Sequence, residues 1–337
     1  MFSGEVEDMV RKRASAPTMK DVAREAGVSL GTVSKVINGI AVGEGYRCRV
    51  EAAISRLGYT VNNYARGLKT NRTDSVALVL PSLRHPFFAA LADEVTACLA
   101  RQGRRCVLMI TNFDARTERE SFVMVRQNKV DGVIALTYSP NIEADESLPI
   151  VTIDRHFGPG IPCVSSDNYL GGQMAAEKLL ALGCERLLCL QIGAEIPGEP
   201  HKRSAGFENV CAERRAVWEK LLLKDSDTEE PFRRFLDEHI HGGRLDFDGV
   251  FCSSDGLVVR MLNHLKTRGI RSPEDVQFIG YDGITDFHTG DYLCSTIVQP
   301  LSQMAETAVR LLDDGDLSAG ASICLPVRYQ SGGTTTD

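Results

Sequence analysis

The sequence predicts two fold classes in one chain: an all-α head, followed by an α/β body of two doubly wound parallel-sheet lobes. The chain has 337 residues, which is more than one domain usually holds. Apolar residues recur at helical spacing over residues 18–58, whereas from residue 75 onward short apolar runs alternate with helical stretches. Residues 1–72 carry a net charge of +5, which leaves −12 for the rest. A basic head on an acidic body is typical of a polyanion-binding surface, although a solvated charged face would look the same.

Composition and motifs argue against several classes of protein. Hydrophobic residues make up 43% of the chain and charged residues 25%, the balance of a soluble globular protein. No apolar run approaches the ~18 residues of a transmembrane helix. Residues 1–17 lack the apolar core of a secretory signal, so we expect a cytoplasmic protein. The ten cysteines form no C-x-x-C pair and the histidines lack ligand neighbours, which predicts buried free thiols, no metal and no cofactor.

The head is predicted to contain three short helices. The first is MKDVAREA, which Thr18 and Asp21 open with the spacing of a capping box and Gly27 closes. Ser29 caps the second helix, and Gly58 ends the third. The residues predicted to face the core of the head are Val22, Ala23, Ala26, Val33, Val36, Ile37, Val50, Ala53, Ile54 and Leu57.

The first two of these helices have the form of a helix-turn-helix, because a tight glycine-containing turn joins them. In that motif the second helix enters the major groove of DNA, where hydroxyl and amide side chains bind phosphates. The polar residues predicted on its outer face are Ser29, Thr32, Ser34, Lys35 and Asn38. A small amphipathic helix pair of another kind would match this pattern as well.

Eight short apolar runs are the predicted strands of the body. They are VALVLP, RCVLMIT, DGVIALT, PIVTID, RLLCLQIG, DGVFCSS, VQFIGYD and STIVQP. Helical stretches separate most of them, which predicts parallel sheets covered on both faces. Eight strands exceed what one small sheet needs, so we expect two lobes with a ligand cleft at the carboxyl ends of the strands.

Longer motifs connect the chain to a known family. The stretch MKDVAREAGVSLGTVSKVING, with RVEAAISRLGYTVNNYARGLKT after it, closely resembles the head of the lac repressor (LacI/GalR) family of bacterial transcription regulators. The resemblance continues through the body in HPFF, VDGVIAL, PIVTIDR, SSDNYLGGQMAAEKLLALG, RSAGF, FDGVFCSSD, RGIRSPEDVQFIGYDG and TIVQP. It implies a repressor that binds double-stranded operator DNA and is controlled by a small sugar-type effector. The effector would lie between two lobes of the periplasmic-binding-protein type.

The resemblance also implies the domain organisation. We expect a flexible tail (1–17), a helix-turn-helix domain (18–61), a hinge helix with linker (62–74) and a two-lobed effector and dimerisation body (75–337). We expect a homodimer and no tetramer, because YQSGGTTTD carries no leucine heptads.

By position, the resemblance places DNA contacts in the head and in the hinge. Leu30, Gly31 and Lys35 match the sites that face base edges, and Leu68 matches a leucine that wedges into the minor groove. The full set is Thr18, Ser29, Leu30, Gly31, Thr32, Ser34, Lys35, Asn38, Asn62, Ala65, Arg66 and Leu68. Gly31 has no side chain with which to read a base, so DNA shape is expected to contribute. Without the head beside it, the segment around Leu68 would be an ordinary linker.

Two other departures from the family pattern concern helix caps and the cleft. Gly43 stands where the family commonly starts its third helix with Ser or Thr, which predicts a weak cap. Ser254 replaces the Asn often found before this Asp, so one contact to a sugar hydroxyl group could be missing.

The implied effector-binding residues are Phe87, Phe88, Asp154, Arg203, Ser254 and Asp282. Aromatic faces can stack on a sugar ring, while Arg and Asp side chains can hold hydroxyls or carboxylates. Phe87 and Phe88 could equally belong to the core, and Arg203 and Asp282 could pair with each other.

Two other functions share features with this sequence. A solute-binding protein would use the same two-lobed fold, but it would need an export signal and would lack the DNA-binding head. An enzyme acting on a nucleotide or sugar would need a catalytic motif, and the chain has neither a P-loop nor a G-x-S-x-G elbow. The sequence therefore predicts a regulator that is not an enzyme.

Overall fold

The chain divides into two compact units between Thr73 and Asp74. The computed structural model describes residues 17–60, 73–137, 148–157, 160–193, 198–224, 229–313 and 320–337. The first unit is the head and the second is the body, and each has its own hydrophobic core.

The head consists of three helices, α1 (Met19–Ala26), α2 (Leu30–Ile37) and α3 (Glu44–Leu57), as the sequence predicts. Their apolar sides meet in one core whose buried members are Val22, Ala23, Ala26, Val33, Val50, Ala53 and Tyr59. The partly buried residues that pack against this core include Val36, Ile37, Ile54 and Leu57. The predicted inward-facing residues are therefore confirmed, and Tyr59 is an addition.

Side-chain caps define where the first two helices begin. In the capping box, the Thr18 amide donates to the Asp21 carboxylate at 2.9 Å, and the Asp21 amide donates to the Thr18 hydroxyl at 3.4 Å. The hydrogen bond from the Thr18 side chain is the main reason that the pKa of half-buried Asp21 is lowered. Ser29 caps α2, because its hydroxyl accepts from the Thr32 amide at 3.1 Å. Gly43 starts α3 with no side-chain cap, as predicted.

The described part of the body alternates strands with helices. Its strands are β1 (Ser75–Leu80), β2 (Arg105–Ile110), β3 (Gly132–Ala135), β4 (Ile150–Ile153), β5 (Cys163–Ser166), β6 (Arg186–Gly193), β7 (Val217–Lys224), β8 (Ile240–His241), β9 (Arg244–Leu245), β10 (Gly249–Cys252), β11 (Gln277–Asp282), β12 (Thr296–Val298), β13 (Ser322–Leu325) and β14 (Arg328–Gln330). Its helices are α4 (Pro86–Arg101), α5 (Ala115–Gln127), α6 (Asn168–Ala181), α7 (Lys202–Arg214), α8 (Glu229–His239), α9 (Asp255–Lys266) and α10 (Leu301–Asp313).

These strands form two six-stranded sheets, one for each lobe. The first has the order β13-β5-β4-β3-β1-β2, and its neighbouring strands are all parallel. The second has the order β14-β12-β11-β10-β6-β7 and is parallel except where β14 runs antiparallel to β12. The strands β8 and β9 form a separate two-stranded sheet.

Helices cover both faces of each sheet, so both lobes are doubly wound as predicted. In β1, Val76, Leu78 and Leu80 join the core beneath α4 and α10, whereas Ala77 and Val79 join the core on the α5 side. In the second sheet, α8 and α9 cover one face, and α6 and α7 cover the other. Burial on both faces explains why the strands read as continuous apolar runs.

All eight predicted strands are present, and the described residues contain six others that the sequence did not predict. These six are β5, β7, β8, β9, β13 and β14. The strands β7, β13 and β14 lie at or next to exposed edges of the sheets, where side chains need not be apolar. The sequence CVSS of β5 is short and half polar, and its burial comes from its neighbours β4 and β13.

The chain passes between the two lobes three times. It crosses from β5 to α6, returns from β12 to α10, and crosses again from β13 to β14. These three crossings bring residues from both lobes close to the carboxyl ends of the parallel strands.

The ten cysteines are all free thiols, as predicted. Eight are buried or half-buried, but Cys48 and Cys324 are exposed, so the expectation of burial is wrong for these two.

Candidate functional site

Helix α2 presents a partly polar surface to solvent. Its exposed residues, with the cap that precedes it and the one that follows, are Ser29, Leu30, Gly31, Lys35 and Asn38. Thr32 and Ser34, which the sequence places on the outer face, are half-buried. Leu30 exposes 43% of its surface.

Several polar side chains of this surface stabilise the helix itself. The hydroxyls of Ser29 and Thr32 are 2.9 Å apart, and the Asn38 amide donates to the Ser34 carbonyl at 2.7 Å. Neither Leu30 nor Lys35 is a partner in these hydrogen bonds.

Gly31 is not required by the packing of the head. A Cβ added there would meet only the Ser29 hydroxyl within 4 Å, at an ordinary contact distance of 3.7 Å. Since the fold would accept a side chain, the glycine leaves the α2 backbone open to close approach by a partner.

The predicted hinge contacts Asn62, Ala65, Arg66 and Leu68 lie outside the described residues. The same holds for residues 1–16 of the predicted tail. Their roles stay predictions, whereas Thr18 is described and is exposed at the start of α1.

A cavity of about 200 Å³ lies in the body and is lined by residues of both lobes. The lining includes all six predicted effector residues, namely Phe87, Phe88, Asp154, Arg203, Ser254 and Asp282. Asp154 follows β4, Ser254 follows the end of β10, and Asp282 ends β11. This is the edge at which parallel sheets bind ligands, because loops and helix starts meet there.

Arg203 is the buried cation of the cleft. Its Nε donates to Asn168 Oδ1 at 2.7 Å, and its Nη1 donates to the Ser253 carbonyl at 2.7 Å. The guanidinium carbon lies 3.7 Å from the centre of the Tyr281 ring, a cation–π contact. Nη1 is also 3.6 Å from Asp282 Oδ1. Arg203 and Asp282 therefore pair with each other and line the cleft as well.

Asp282 uses only one of its two carboxylate oxygens. Oδ1 accepts from Gln299 Nε2 at 2.8 Å, whereas buried Oδ2 has no hydrogen-bond partner. Burial raises the pKa of Asp282 to about 7, against the lowering effect of Arg203. Its φ of 122° is rare for a residue other than glycine, a strain typical of functional sites.

Asp154 has the same character on the first lobe. Its Oδ1 is buried without a hydrogen-bond partner, and its φ is 56°. Burial raises its pKa to about 6, although Arg203 acts in the opposite direction. The cleft thus contains two buried carboxylate oxygens that could each accept a hydrogen bond from a ligand.

The aromatic wall of the cleft comes from the start of α4. Phe87 and Phe88 are buried, and their ring centres are 5.7 Å apart in an edge-on arrangement. Both belong to the core of the first lobe and both line the cavity, so the two alternatives hold together. Ser254 precedes α9 and makes no side-chain capping bond.

The sequence did not single out several polar residues around the cleft. They are Asn168, Gln191, Ser253 and Gln299, each less than 9% exposed. Asn168 stands inside a motif quoted for the family, but only the fold brings it to Arg203. A buried amide in an apolar context, as in RLLCLQIG and TIVQP, is the signal that could have revealed Gln191 and Gln299.

No group of three or more His, Cys, Asp or Glu side chains among the described residues is placed to hold a metal ion. No helix in the same part of the chain is long and apolar enough to span a bilayer.

Comparison with known families gives two matches that together cover most of the chain. Residues 73–309 match the family described as periplasmic binding proteins and sugar binding domain of LacI family. Residues 18–62 match the family described as bacterial regulatory proteins, lacI family.

Individual proteins match over nearly their whole length. A sucrose operon repressor from Pediococcus pentosaceus is 31% identical over 94% of this chain and 99% of its own. A ribose operon repressor from Bacillus subtilis (strain 168) is 32% identical over 88% of this chain and 90% of its own. A crystal structure of the lac repressor dimer bound to operator and an anti-inducer matches with a TM-score of 0.78. It is 20% identical and covers 95% of this chain and 99% of that one.

Proposed function

The chain belongs to the LacI family of bacterial regulatory proteins, and we propose that it is a transcriptional repressor controlled by a single-ring sugar. The sugar would bind in the cleft of the body, and the head would bind operator DNA. The two relatives described above are repressors of sugar operons, which supports this assignment.

The single observation that carries the effector class is the pair of unpartnered oxygens on Asp154 and Asp282. A buried acceptor without a partner is costly, and two hydroxyl groups of a polyol would satisfy both oxygens. Phe87 and Phe88 offer an apolar wall for the face of a sugar ring. The cavity of about 200 Å³ is smaller than the roughly 300–1,000 Å³ of common ligand sites. This volume favours one ring over two.

For operator binding, the proposal assigns base contacts to Leu30 and Lys35 of α2. Gly31 would let the backbone of α2 approach the base edges, so that DNA shape contributes to specificity. The proposal also keeps Leu68 as a minor-groove wedge, with Arg66 near phosphates. The remaining proposed DNA contacts are Thr18, Ser29, Thr32, Ser34, Asn38, Asn62 and Ala65.

The protein is proposed to bind its operator as a homodimer. One small head offers too few contacts for tight binding, whereas two heads on a near-palindromic site double them. The similar lac repressor structure is a dimer on its operator, which supports this arrangement.

The DNA half of the proposal is tested by selection from random duplexes with the full-length protein. The expected result is one near-palindromic site, with affinity that falls steeply as salt is added because phosphate contacts release counterions. A Lys35→Ala variant should bind that site more weakly. Failure to enrich any two-fold site would contradict a role as a repressor.

The effector half is tested by thermal unfolding with D-ribose, D-xylulose, D-fructose, D-glucose, sucrose and cellobiose. A bound sugar raises the melting temperature by mass action, and we expect this for a monosaccharide and not for the disaccharides. A protein that binds a sugar but selects no DNA would instead be a solute-binding protein.

A further inference from the structure

Five buried residues form a closed ring of polar contacts beside the cleft, which we call the polar ring: Ser166, Asn168, Arg203, Asp282 and Gln299. The Ser166 hydroxyl donates to Gln299 Oε1 at 2.8 Å, and Gln299 Nε2 donates to Asp282 Oδ1 at 2.8 Å. Arg203 Nη1 lies 3.6 Å from that same oxygen, and Arg203 Nε donates to Asn168 Oδ1 at 2.7 Å. The Asn168 amide closes the ring by donating to the Ser166 carbonyl at 2.9 Å.

The polar ring joins the cleft to two of the three crossings between the lobes. Ser166 ends β5 and Asn168 begins α6, so both lie at the first crossing. Gln299 lies between β12 and α10, at the second crossing. Arg203 and Asp282 belong to the second lobe and line the cleft. The polar ring therefore links the cleft to both crossings through an unbroken series of polar contacts.

Burial strengthens the hydrogen bonds of the polar ring. No member of the polar ring is more than 6% exposed, and hydrogen bonds are strengthened where water is excluded. The two carboxylate oxygens of Asp282 differ, because Oδ1 is part of the polar ring, whereas Oδ2 is buried without a hydrogen-bond partner in a residue that lines the cleft. The contact of 3.6 Å between Arg203 and Asp282 is the longest in the ring, so it is the place where the ring can tighten or open.

We propose that Gln299 is a positioning residue that couples the effector cleft to the lobe crossings: it orients Asp282 toward the ligand and transmits changes at Asp282 to Ser166. The inference rests on the proposed function, in that the cleft is taken to bind the effector. A ligand shifts the arrangement of the lobes only through its different affinity for two states, and the polar ring supplies a physical difference between such states.

The side-chain amide of Gln299 is suited to this role. It donates toward a carboxylate on one side and accepts from a hydroxyl on the other. A methionine has similar length but makes neither bond. A protonated glutamic acid makes both, whereas an ionised glutamate would face the Asp282 carboxylate with like charge.

The test measures amide hydrogen exchange of the ligand-free full-length protein at pH 6 and pH 9. The variants are Gln299→Met, Gln299→Glu and the control Gln303→Glu, which makes the same change at an exposed position of α10. Exchange is followed in peptides that cover the first crossing (166–170) and the second (296–301). Each variant is compared with wild type at the same pH. The charged groups that face Asp282 are Arg203, Asp154 and Asp255, and all are retained.

With Gln299→Met, we expect exchange at both crossings to rise about tenfold at either pH. Gln299→Glu should stay within about threefold of wild type at pH 6, where the acid can donate, and should approach Gln299→Met at pH 9. Gln303→Glu should change nothing at 166–170. The proposal is overturned if exchange rises only around residue 299, or if the two Gln299 variants behave alike at both pH values.

A second arm separates this inference from the proposed function. Wild type and Gln299→Met are titrated with D-ribose, D-xylulose, D-fructose and D-glucose by calorimetry, and the best wild-type ligand should lose about tenfold or more in affinity. If wild type binds none of these sugars while the exchange pattern holds, the effector class is wrong and the polar ring stands. If a sugar binds equally well to both proteins, Gln299 is not a positioning residue.

Discussion

The head and the body use polar side chains in different ways. In the head, the key polar partners are neighbours in sequence, as in Thr18 with Asp21, and they lie at the surface. In the body, the corresponding bonds are buried and join distant residues, since Arg203 binds Asn168 and Ser166 binds Gln299 across 133 positions. Local polar contacts define helix ends, whereas long-range buried contacts build a site. The comparison implies that each unit can be disturbed without the other.

The two units also differ in the size of their cores. The head packs a few small side chains around Val33, with Tyr59 as its one buried aromatic residue among those described. The body has four cores that contain fully buried side chains such as Phe207, Phe251 and Tyr281. Because small domains bury a smaller share of their surface, we expect the head to unfold first on heating, as a separate transition.

The largest expected effect is loss of sugar binding in Arg203→Ala. The variant removes the donor to Asn168 and the only cation within 4 Å of Asp282 in the described structure. In binding sites, truncating one partner of a buried hydrogen-bonded charge pair costs about 2–5 kcal/mol of binding free energy, so we expect sugar affinity to fall about 100-fold in calorimetry. Operator binding without sugar should stay within about threefold, because the head is a separate unit.

A matched control for this change is Arg234→Ala, which removes an exposed arginine whose nearest carboxylate contact is 3.8 Å long. It should leave sugar affinity unchanged. Equal losses in Arg203→Ala and Arg234→Ala would mean that the cleft is not the sugar site.

A smaller effect is expected when the same valine truncation is made in each unit. Val33 in the head and Val250 in the body are both fully buried, and each change to alanine should cost about 1–3 kcal/mol. In Val33→Ala only the head transition should move in calorimetry, and DNA binding should weaken at 37 °C. In Val250→Ala only the body transition should move. A shift of both transitions in either variant would show that the units unfold together.

The same contrast explains what the sequence could predict. In the head, caps and helical spacing are local signals, so three helices and ten core positions follow from the residues themselves. The strands of the body were predictable where both faces are buried, because their side chains are apolar throughout. Edge strand β7, with the sequence VWEKLLLK, was missed because its exposed positions carry charged and apolar residues alike.

The cleft could be predicted only in part. Asp154 and Asp282 follow apolar strands, and the ends of parallel strands meet at one edge of a sheet. Asn168 and Gln299 could not be placed, because their role depends on the crossings that bring residues 131 positions apart into one network. Neither the spacing of residues nor the composition of the chain indicates that those crossings lie next to each other.

The next prediction concerns pH, to which the two units should respond over different ranges. Burial raises the pKa values of Asp154 to about 6 and Asp282 to about 7, above their ordinary 3.8. The folded body therefore holds protons that the unfolded chain has released, and this stability is lost as the pH rises through 6 and 7. The lowered pKa of Asp21 has the reverse effect, since its contribution is lost only as the pH falls below about 4.

Between pH 5 and pH 8 we expect the melting temperature of the body to fall by at least about 2 °C, while that of the head stays constant. Calorimetry at fixed ionic strength measures both transitions. Asp282→Asn should flatten the slope of the body, because it removes one of the titrating groups. A melting temperature of the body that rises over this range would contradict the assignment.

The smallest expected effect is a gain in the head from Gly43→Ser. Gly43 precedes α3 with φ −56° and ψ 138°, a backbone that any residue can adopt, and it offers no side-chain cap. An added Cβ would meet Tyr46 Cδ2 at an ordinary 3.5 Å, so a serine fits and its hydroxyl can accept from an amide of the first turn. Serine caps better than glycine by only a few tenths of a kcal/mol, which raises the melting temperature of the head by about 1–3 °C.

Ser29→Ala at the cap of α2 is the matched opposite and should lower the melting temperature of the head by more, since about 1 kcal/mol of stability is lost. Both changes should leave the body transition in place, because caps act only on their own helix. A body transition that follows either substitution would mean that the head and the body are energetically one unit.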